Sequence, residues 1–146
     1  MATKLEMGLA VALVATLIVA SIVILAMSWT IHTTGKIKAV GVGVYWDINA
    51  TIPCSAIDWG VLGPGDLAGV TVYIKNIKNT NATLTINSTA YVPPEFEKYA
   101  TLSWNYTGAM LQPAQTIGAQ ISLLIAPNIA NVTTFSFDIY IWAIEA

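Results

Sequence analysis

The chain has no arginine, one histidine and one cysteine, and only 10% of its 146 residues are charged, against about a quarter in an ordinary soluble domain. Its six basic residues are all lysines scattered from Lys4 to Lys98, with a net charge of −2. They make no basic face, which excludes nucleic acid as a partner. A lone Cys54 excludes an intramolecular disulfide and a cysteine-based metal site, and it reads as a small packed residue. His32 reads as a polar residue at an interface, because one histidine cannot serve a triad in a distant core.

Catalytic constellations are equally scarce. Acid–base or hydrolytic chemistry needs groups converging within hydrogen-bond reach. Asp47, Asp58, Asp66, Glu95, Glu97, Asp138 and Glu145 are dispersed, with no close pair on one strand face. Glu95 and Glu97 share a segment with Lys98 and read as a solvated turn, and Asp58 as a group that bonds backbone in a turn. Asp47 and Asp66 would meet at Ca²⁺ only if loops at one end converged, and the acidic density is low for that. Gly41-Val42-Gly43 lies within a strand pattern and opens no helix, so it is no phosphate loop. The expectation is a non-enzymatic protein with no cofactor and no metal.

What the chain has in abundance is apolar residues, 55% of the total. Met7 to Trp29 holds no charge and no proline, and residues 9 to 25 include eleven Leu, Ile and Val. As a helix this segment would be about 34 Å long, enough to cross the ~30 Å hydrocarbon core once. A cleaved signal peptide would have a shorter apolar region, about 7–15 residues, after a basic start. Here only Lys4 precedes the run and Glu6 partly offsets it, although Ala26-Met27-Ser28 resembles a cleavage site. The expected layout is an N-terminal flank over residues 1–6, a transmembrane helix over 7–29, a linker over 30–38 and a domain over 39–146. Gly8, Ala12, Thr16 and Ala20 recur every fourth residue, a small-residue ridge through which membrane helices approach closely. Such a ridge makes the helix a candidate for self-association, its surroundings being membrane lipid or sister helices.

Lysines flank the segment on both sides, so charge does not orient it. The acceptor pattern Asn-x-Ser/Thr does. It occurs at Asn49, Asn81, Asn87, Asn105 and Asn131, whereas eight asparagines among 23 serines and threonines predict about 1.3 chance matches. N-linked glycans on these sites would place the C-terminal domain outside the cell.

From Ala39 onward, apolar and polar residues alternate with period two, as in half-buried strands. Val40, Val42, Val44 and Trp46 share one face, and Asp47 to Ser55 breaks the pattern. Further strands are expected around Ile57, Trp59 and Val61; Val70, Val72 and Ile74; Leu84 and Ile86; Leu102, Trp104 and Tyr106. The last two lie over Ala119, Ile121, Leu123 and Ile125, and over Phe135, Phe137, Ile139 and Ile141. Gly63-Pro64-Gly65-Asp66, Asn79-Thr80-Asn81 and Pro127-Asn128 supply turns. Pro93-Pro94-Glu-Phe-Glu-Lys reads as a loop with one helical turn. Seven short strands with regular turns predict a mainly β protein, a seven-stranded antiparallel immunoglobulin-like sandwich behind the helix.

Two resemblances sharpen this expectation. Ile57-Asp-Trp-Gly-Val-Leu-Gly-Pro-Gly-Asp66 followed by Val70-Thr-Val-Tyr-Ile-Lys-Asn76 resembles the strand–turn–strand signature of immunoglobulin-like domains of the ASH/CARDB kind. Leu111-Gln-Pro-Ala-Gln115 followed by Ala119 to Ile125 resembles their later turn and strand, with Ala114 in place of the usual glycine. These motifs imply a scaffold or surface module and carry over no catalytic residue. The overall layout is similar to archaeal type IV pilins and archaellins, which place an apolar helix before a glycosylated sandwich. Those families carry a basic leader ending in Gly or Ala and a glutamate near position five of the mature helix. Gly8 could end such a leader, but Glu6-Met7 precedes it and no acidic residue follows it until Asp47. Three functions are therefore weighed: a membrane-anchored surface protein of structural or adhesive role; a filament subunit whose helices bundle in a core; and a carbohydrate- or ligand-binding module using outward Tyr45, Tyr73 or Tyr140.

Overall fold

Alternation alone builds the C-terminal half. In a computed structural model describing residues 31–129 and 133–146, Ala119, Ile121, Leu123 and Ile125 are all buried, as are Phe135, Phe137, Ile139 and Ile141. Side chains two apart along a strand share a face, so these two strands each turn an apolar stripe inward. The apolar segment Met7–Trp29, its ridge of Gly8, Ala12, Thr16 and Ala20, and the Asn131 sequon lie outside the described residues.

Eight strands are present among the described residues: β1 (Ile31–Val40), β2 (Val42–Tyr45), β3 (Ala56–Leu62), β4 (Leu67–Asn76), β5 (Ala82–Val92), β6 (Ala100–Trp104), β7 (Thr116–Ile125) and β8 (Thr134–Glu145). A single 3₁₀ turn, Pro94–Lys98, follows β5, where the double proline predicts it. The strands form two four-stranded sheets, β3-β1-β8-β5 and β2-β4-β7-β6. Only the β6–β7 connection stays within a sheet; every other one crosses to the opposite sheet. The chain is thus mainly β, and the two sheets close over one core.

Several expectations are corrected. Residues 31–38, expected as part of a linker, belong to β1, an inner strand with β3 on one side and β8 on the other. Two of its inward positions are Thr33 and Gly35, which conceal the alternation. Thr33 is fully buried, and its hydroxyl donates to the Ile31 carbonyl at 3.3 Å. Gly35 is bare because the sheet's interior fills its space: a Cβ there would lie 3.0 Å from Ile139 Cδ1 and 3.3 Å from the Trp59 indole nitrogen.

Pairing is also not antiparallel throughout. β1 runs parallel to β8, with Thr34 opposite Ser136 and Lys38 opposite Tyr140. The strand count is eight, because the stretch from Val40 to Trp46 is divided between sheets. Gly41, at φ 75°, takes a left-handed conformation that glycine adopts without steric cost. There the chain leaves the first sheet for the second, so Val40 ends outside while Val42 and Val44 turn inward. Trp46 lies in the following loop and is exposed.

A second glycine reverses a face. Gly60, at φ 76°, sits at a register shift in the β1–β3 ladder, the signature of a bulge that re-aims side chains. Ile57 and Trp59 point inward as their spacing predicts, but Val61 is 59% exposed and Leu62 takes the inward place. Asp58 stabilises the bulge by accepting from the Gly60 amide at 2.8 Å.

The loop expected between Asp47 and Ser55 is organised by Asp47. Its carboxylate accepts from the Thr51 and Ile52 amides at 2.9 and 2.8 Å and from the Thr51 hydroxyl at 2.5 Å. The Thr51 side-chain bond, followed by the Ile52 amide, holds this carboxyl below the usual carboxylate range.

Cys54 is buried at the end of this loop, and burial pushes its thiol up to about 11. Thiolate is the reactive form. At pH 8 the native protein is therefore expected to resist iodoacetamide and to react fully once unfolded in guanidinium, as read by intact mass. Labelling of the native protein within minutes would contradict this packing.

Candidate functional site

The feature that stands out is the solvent face of the first sheet. Because β8 is paired on both sides, three strands present their outward side chains in rows. Thr85 of β5, Trp142 of β8 and Val40 of β1 form one row; Asn87, Tyr140 and Lys38 form the next; Thr89, Asp138 and Lys36 form the third. Tyr140 and Trp142 lie two residues apart on one face, their ring centroids 5.6 Å apart and their planes at 64°. Lys38 Nζ sits 2.9 Å from Asp138 Oδ2. That hydrogen bond and its charge raise the pKa of the Lys38 ammonium. The pair is solvent-accessible on the lysine side and adds orientation more than stability.

Between the rows runs a groove of about 340 Å³ lined by Val40, Asn87, Thr89, Tyr140, Trp142 and Ala143. That volume lies at the small end of the roughly 300–1,000 Å³ typical of small-ligand sites. Its chemistry is aromatic floor and polar rim. An aromatic face is negative and attracts the positive edges of C–H groups, while Asn, Thr, Lys and Asp offer donors and acceptors beside it. A second groove at the Ile31 end is lined by His32, Thr34, Val92, Pro93, Thr134, Phe135 and Ser136. His32 Nε2 there lies 3.9 Å from Asp58 Oδ1, a loose pair at the surface.

The three tyrosines named from the sequence do not come together. Tyr45 and Tyr73 are direct partners in the β2–β4 ladder, on the second sheet, whereas Tyr140 is on the first. The Tyr45 ring occupies the space a Cβ at Gly43 would take, and the Tyr73 ring lies 3.3 Å from the corresponding point at Gly118. Each ring thus covers a glycine of its sheet. Trp142, Lys38 and Asp138 complete the Tyr140 face. The alternation of β8 does show Asp138, Tyr140 and Trp142 on one side, but the partners from β1 and β5 depend on long-range pairing.

The four described sequon asparagines are separately placed and all exposed. Asn49 sits in the β2–β3 loop, Asn81 immediately before β5, Asn87 within β5 and Asn105 just after β6. Asn105 is tied to its neighbour strand: its side-chain oxygen accepts from the Gln120 amide at 2.8 Å, and its own amide donates to the Gln120 carbonyl at 3.2 Å. The Thr51 hydroxyl of the Asn49 sequon is engaged by Asp47. Among the described residues no three His, Cys, Asp or Glu side chains converge as metal ligands. No protein-family model matches the chain, and no curated protein matches it.

Proposed function

We propose that the chain is an extracytoplasmic cell-surface protein, anchored by Met7–Trp29, whose single immunoglobulin-like domain plays a structural or adhesive, non-enzymatic part. The observation that carries this reading is the distribution of asparagine. Asn49, Asn81, Asn87 and Asn105 are all solvent-exposed, and the one buried asparagine among the described residues, Asn76, lies outside any sequon. A polar but nearly uncharged surface gains solubility from glycans at such points. The immunoglobulin-like part of the reading draws on eight short strands in two facing sheets, a size and layering typical of that class. The ASH/CARDB-like segments fit it locally: Gly63–Asp66 is a tight turn between β3 and β4, and Ala114, in the place of the usual glycine, adopts φ 65°.

A filament subunit is the second reading, favoured by exposed aliphatic side chains. Val61, Leu67, Val92 and Leu124 are exposed near the end where β1 begins, and Trp46, Ile48 and Ile52 project from the Asp47 loop. Exposed apolar side chains on both sheets and on this loop give a filament several places for contact with other subunits, and neighbouring subunits would cover them. N-terminal sequencing of the protein from detergent-extracted membranes and from sheared surface material separates the two. A start at Met1 or Ala2 in the membrane fraction is expected. A start at Leu9 in sheared filaments would overturn the anchor in favour of the subunit.

A further inference from the structure

We propose that the Tyr140–Trp142 groove seats the first sugar of a glycan carried by Asn87, so that the domain binds its own modification. The proposal rests on the extracytoplasmic reading above. Asn87 is the direct cross-strand partner of Tyr140, and such partners hold their Cβ atoms about 4.5–5.5 Å apart. Trp142 lies one row further along the same face, opposite Thr85. The groove is lined by both the acceptor Asn87 and the sequon's Thr89.

The acceptor amide is oriented for this. Asn87 Oδ1 accepts from the Ser88 amide at 2.9 Å, while Nδ2, the atom that would bear the sugar, has no protein partner among the described residues. Glycosylation by a glycosyl diphosphate donor forms the Nδ2–C1 bond and breaks C1–O. The diphosphate leaves with the bonding pair, and Nδ2 gives up one proton.

A pyranose attached there emerges beside Tyr140. Its flat C–H face meets the ring of Tyr140, with Trp142 set edge-on beside it, and its hydroxyls meet the rim of Thr85, Thr89, Lys38 and Asp138. Tethering holds the sugar at high effective concentration, so even a weak contact is populated. The seated sugar also covers part of β5, an edge strand of the first sheet.

The test uses the full-length protein in detergent, made in its natural host. Glycopeptide mapping reads occupancy of all five sequons, and NMR reads the ring protons of the sugar on Asn87. Occupancy at Asn87 with upfield-shifted sugar protons is expected. The shift should vanish in Tyr140→Ala and persist in Tyr140→Phe, which keeps the ring. Thr89→Ala, which removes the sequon but neither ring, should erase the signals while leaving circular dichroism unchanged. If the sugar is present with unshifted protons, the seat is wrong and the surface reading stands. The same holds if Asn87 is bare while Asn49, Asn81 or Asn105 carries glycan. A bare Asn87 with saturable binding of free N-acetylglucosamine in the groove assigns it to a free saccharide and overturns the tethered source. Absence of glycan at every sequon overturns both the proposal and the glycosylated-surface reading.

Discussion

Phe137→Ala is expected to remove about 3–5 kcal/mol of unfolding free energy, the usual cost of truncating a buried phenylalanine. Phe137 is 2% exposed and stands in an aromatic stack, 5.3 Å from the Tyr91 ring and 5.4 Å from that of Phe135. Phe96, from the 3₁₀ turn, closes the stack against Phe135. These rings sit where β8, β5 and the 3₁₀ turn meet. Shrinking one leaves a void that three separately held elements cannot all move to fill. Domains of this kind have a total stability of about 5–15 kcal/mol, so the variant should lie close to the unfolding threshold at 37 °C. Urea unfolding followed by tryptophan fluorescence reads the difference. Ile144→Ala, in the same strand but 48% exposed, should fall within about 0.5 kcal/mol of the parent. A Phe137→Ala loss as small as that of Ile144→Ala would mean the stack contributes little.

Asn76→Ala should cost about 1–3 kcal/mol, although it removes few apolar contacts, because the half-buried polar groups it holds lose their partner. Asn76 is fully buried at the end of β4. Its Nδ2 donates to the Thr80 carbonyl at 2.9 Å and reaches those of Leu111 and Gln112 at 3.2 and 3.3 Å. Its Oδ1 accepts from the Lys78 amide at 2.9 Å. Leu111 and Gln112 keep backbone donors from Ala82 and Gln115, so the groups orphaned by alanine are the Thr80 carbonyl and the Lys78 amide. Asn76→Asp tests the same point by pH. A carboxylate there faces three carbonyl oxygens, which raises its folded pKa above the unfolded value of about 3.9. Below that value the group is protonated in both states and adds no pH dependence. As pH rises through it, the unfolded state ionises first and stability falls until the folded pKa is passed. The aspartate variant should therefore lose stability between pH 4 and pH 7 relative to the parent. A parallel pH profile would show that residue 76 is not enclosed by these carbonyls.

Neither residue's role is equally visible in the chain. Phe137 belongs to an alternation that any reading of period two assigns to the core, and it is found there. Asn76 follows an alternating strand and resembles any polar residue at a turn. Its enclosure depends on a turn 35 residues later in the chain. The same contrast separates β7 from β1. Every inward position of β7 between residues 119 and 125 is apolar. The inward row of β1 includes Thr33 and Gly35, readable only once Trp59 and Ile139 are seen filling the space above the glycine.

The candidate face divides in the same way. Tyr140 and Trp142 are placed on one side of β8 by the pleat, and Asn87 is marked as a candidate acceptor by its sequon. Their meeting is decided by the antiparallel register of β5 with β8, and the Lys38–Asp138 pair by the parallel register of β1 with β8. By itself, then, the sequence determined the β class, most strand positions, the turns at glycine and proline, and the scarcity of chemistry-bearing side chains. These are local properties, set by the two-residue pleat period and by backbone conformations only certain residues tolerate. The tertiary structure alone decided the parallel β1–β8 pair, the face reversals at Gly41 and Gly60, the polar plug at Asn76 and the groove beside Asn87. Each depends on which distant segment lies alongside, and that follows from the joint packing of both sheets.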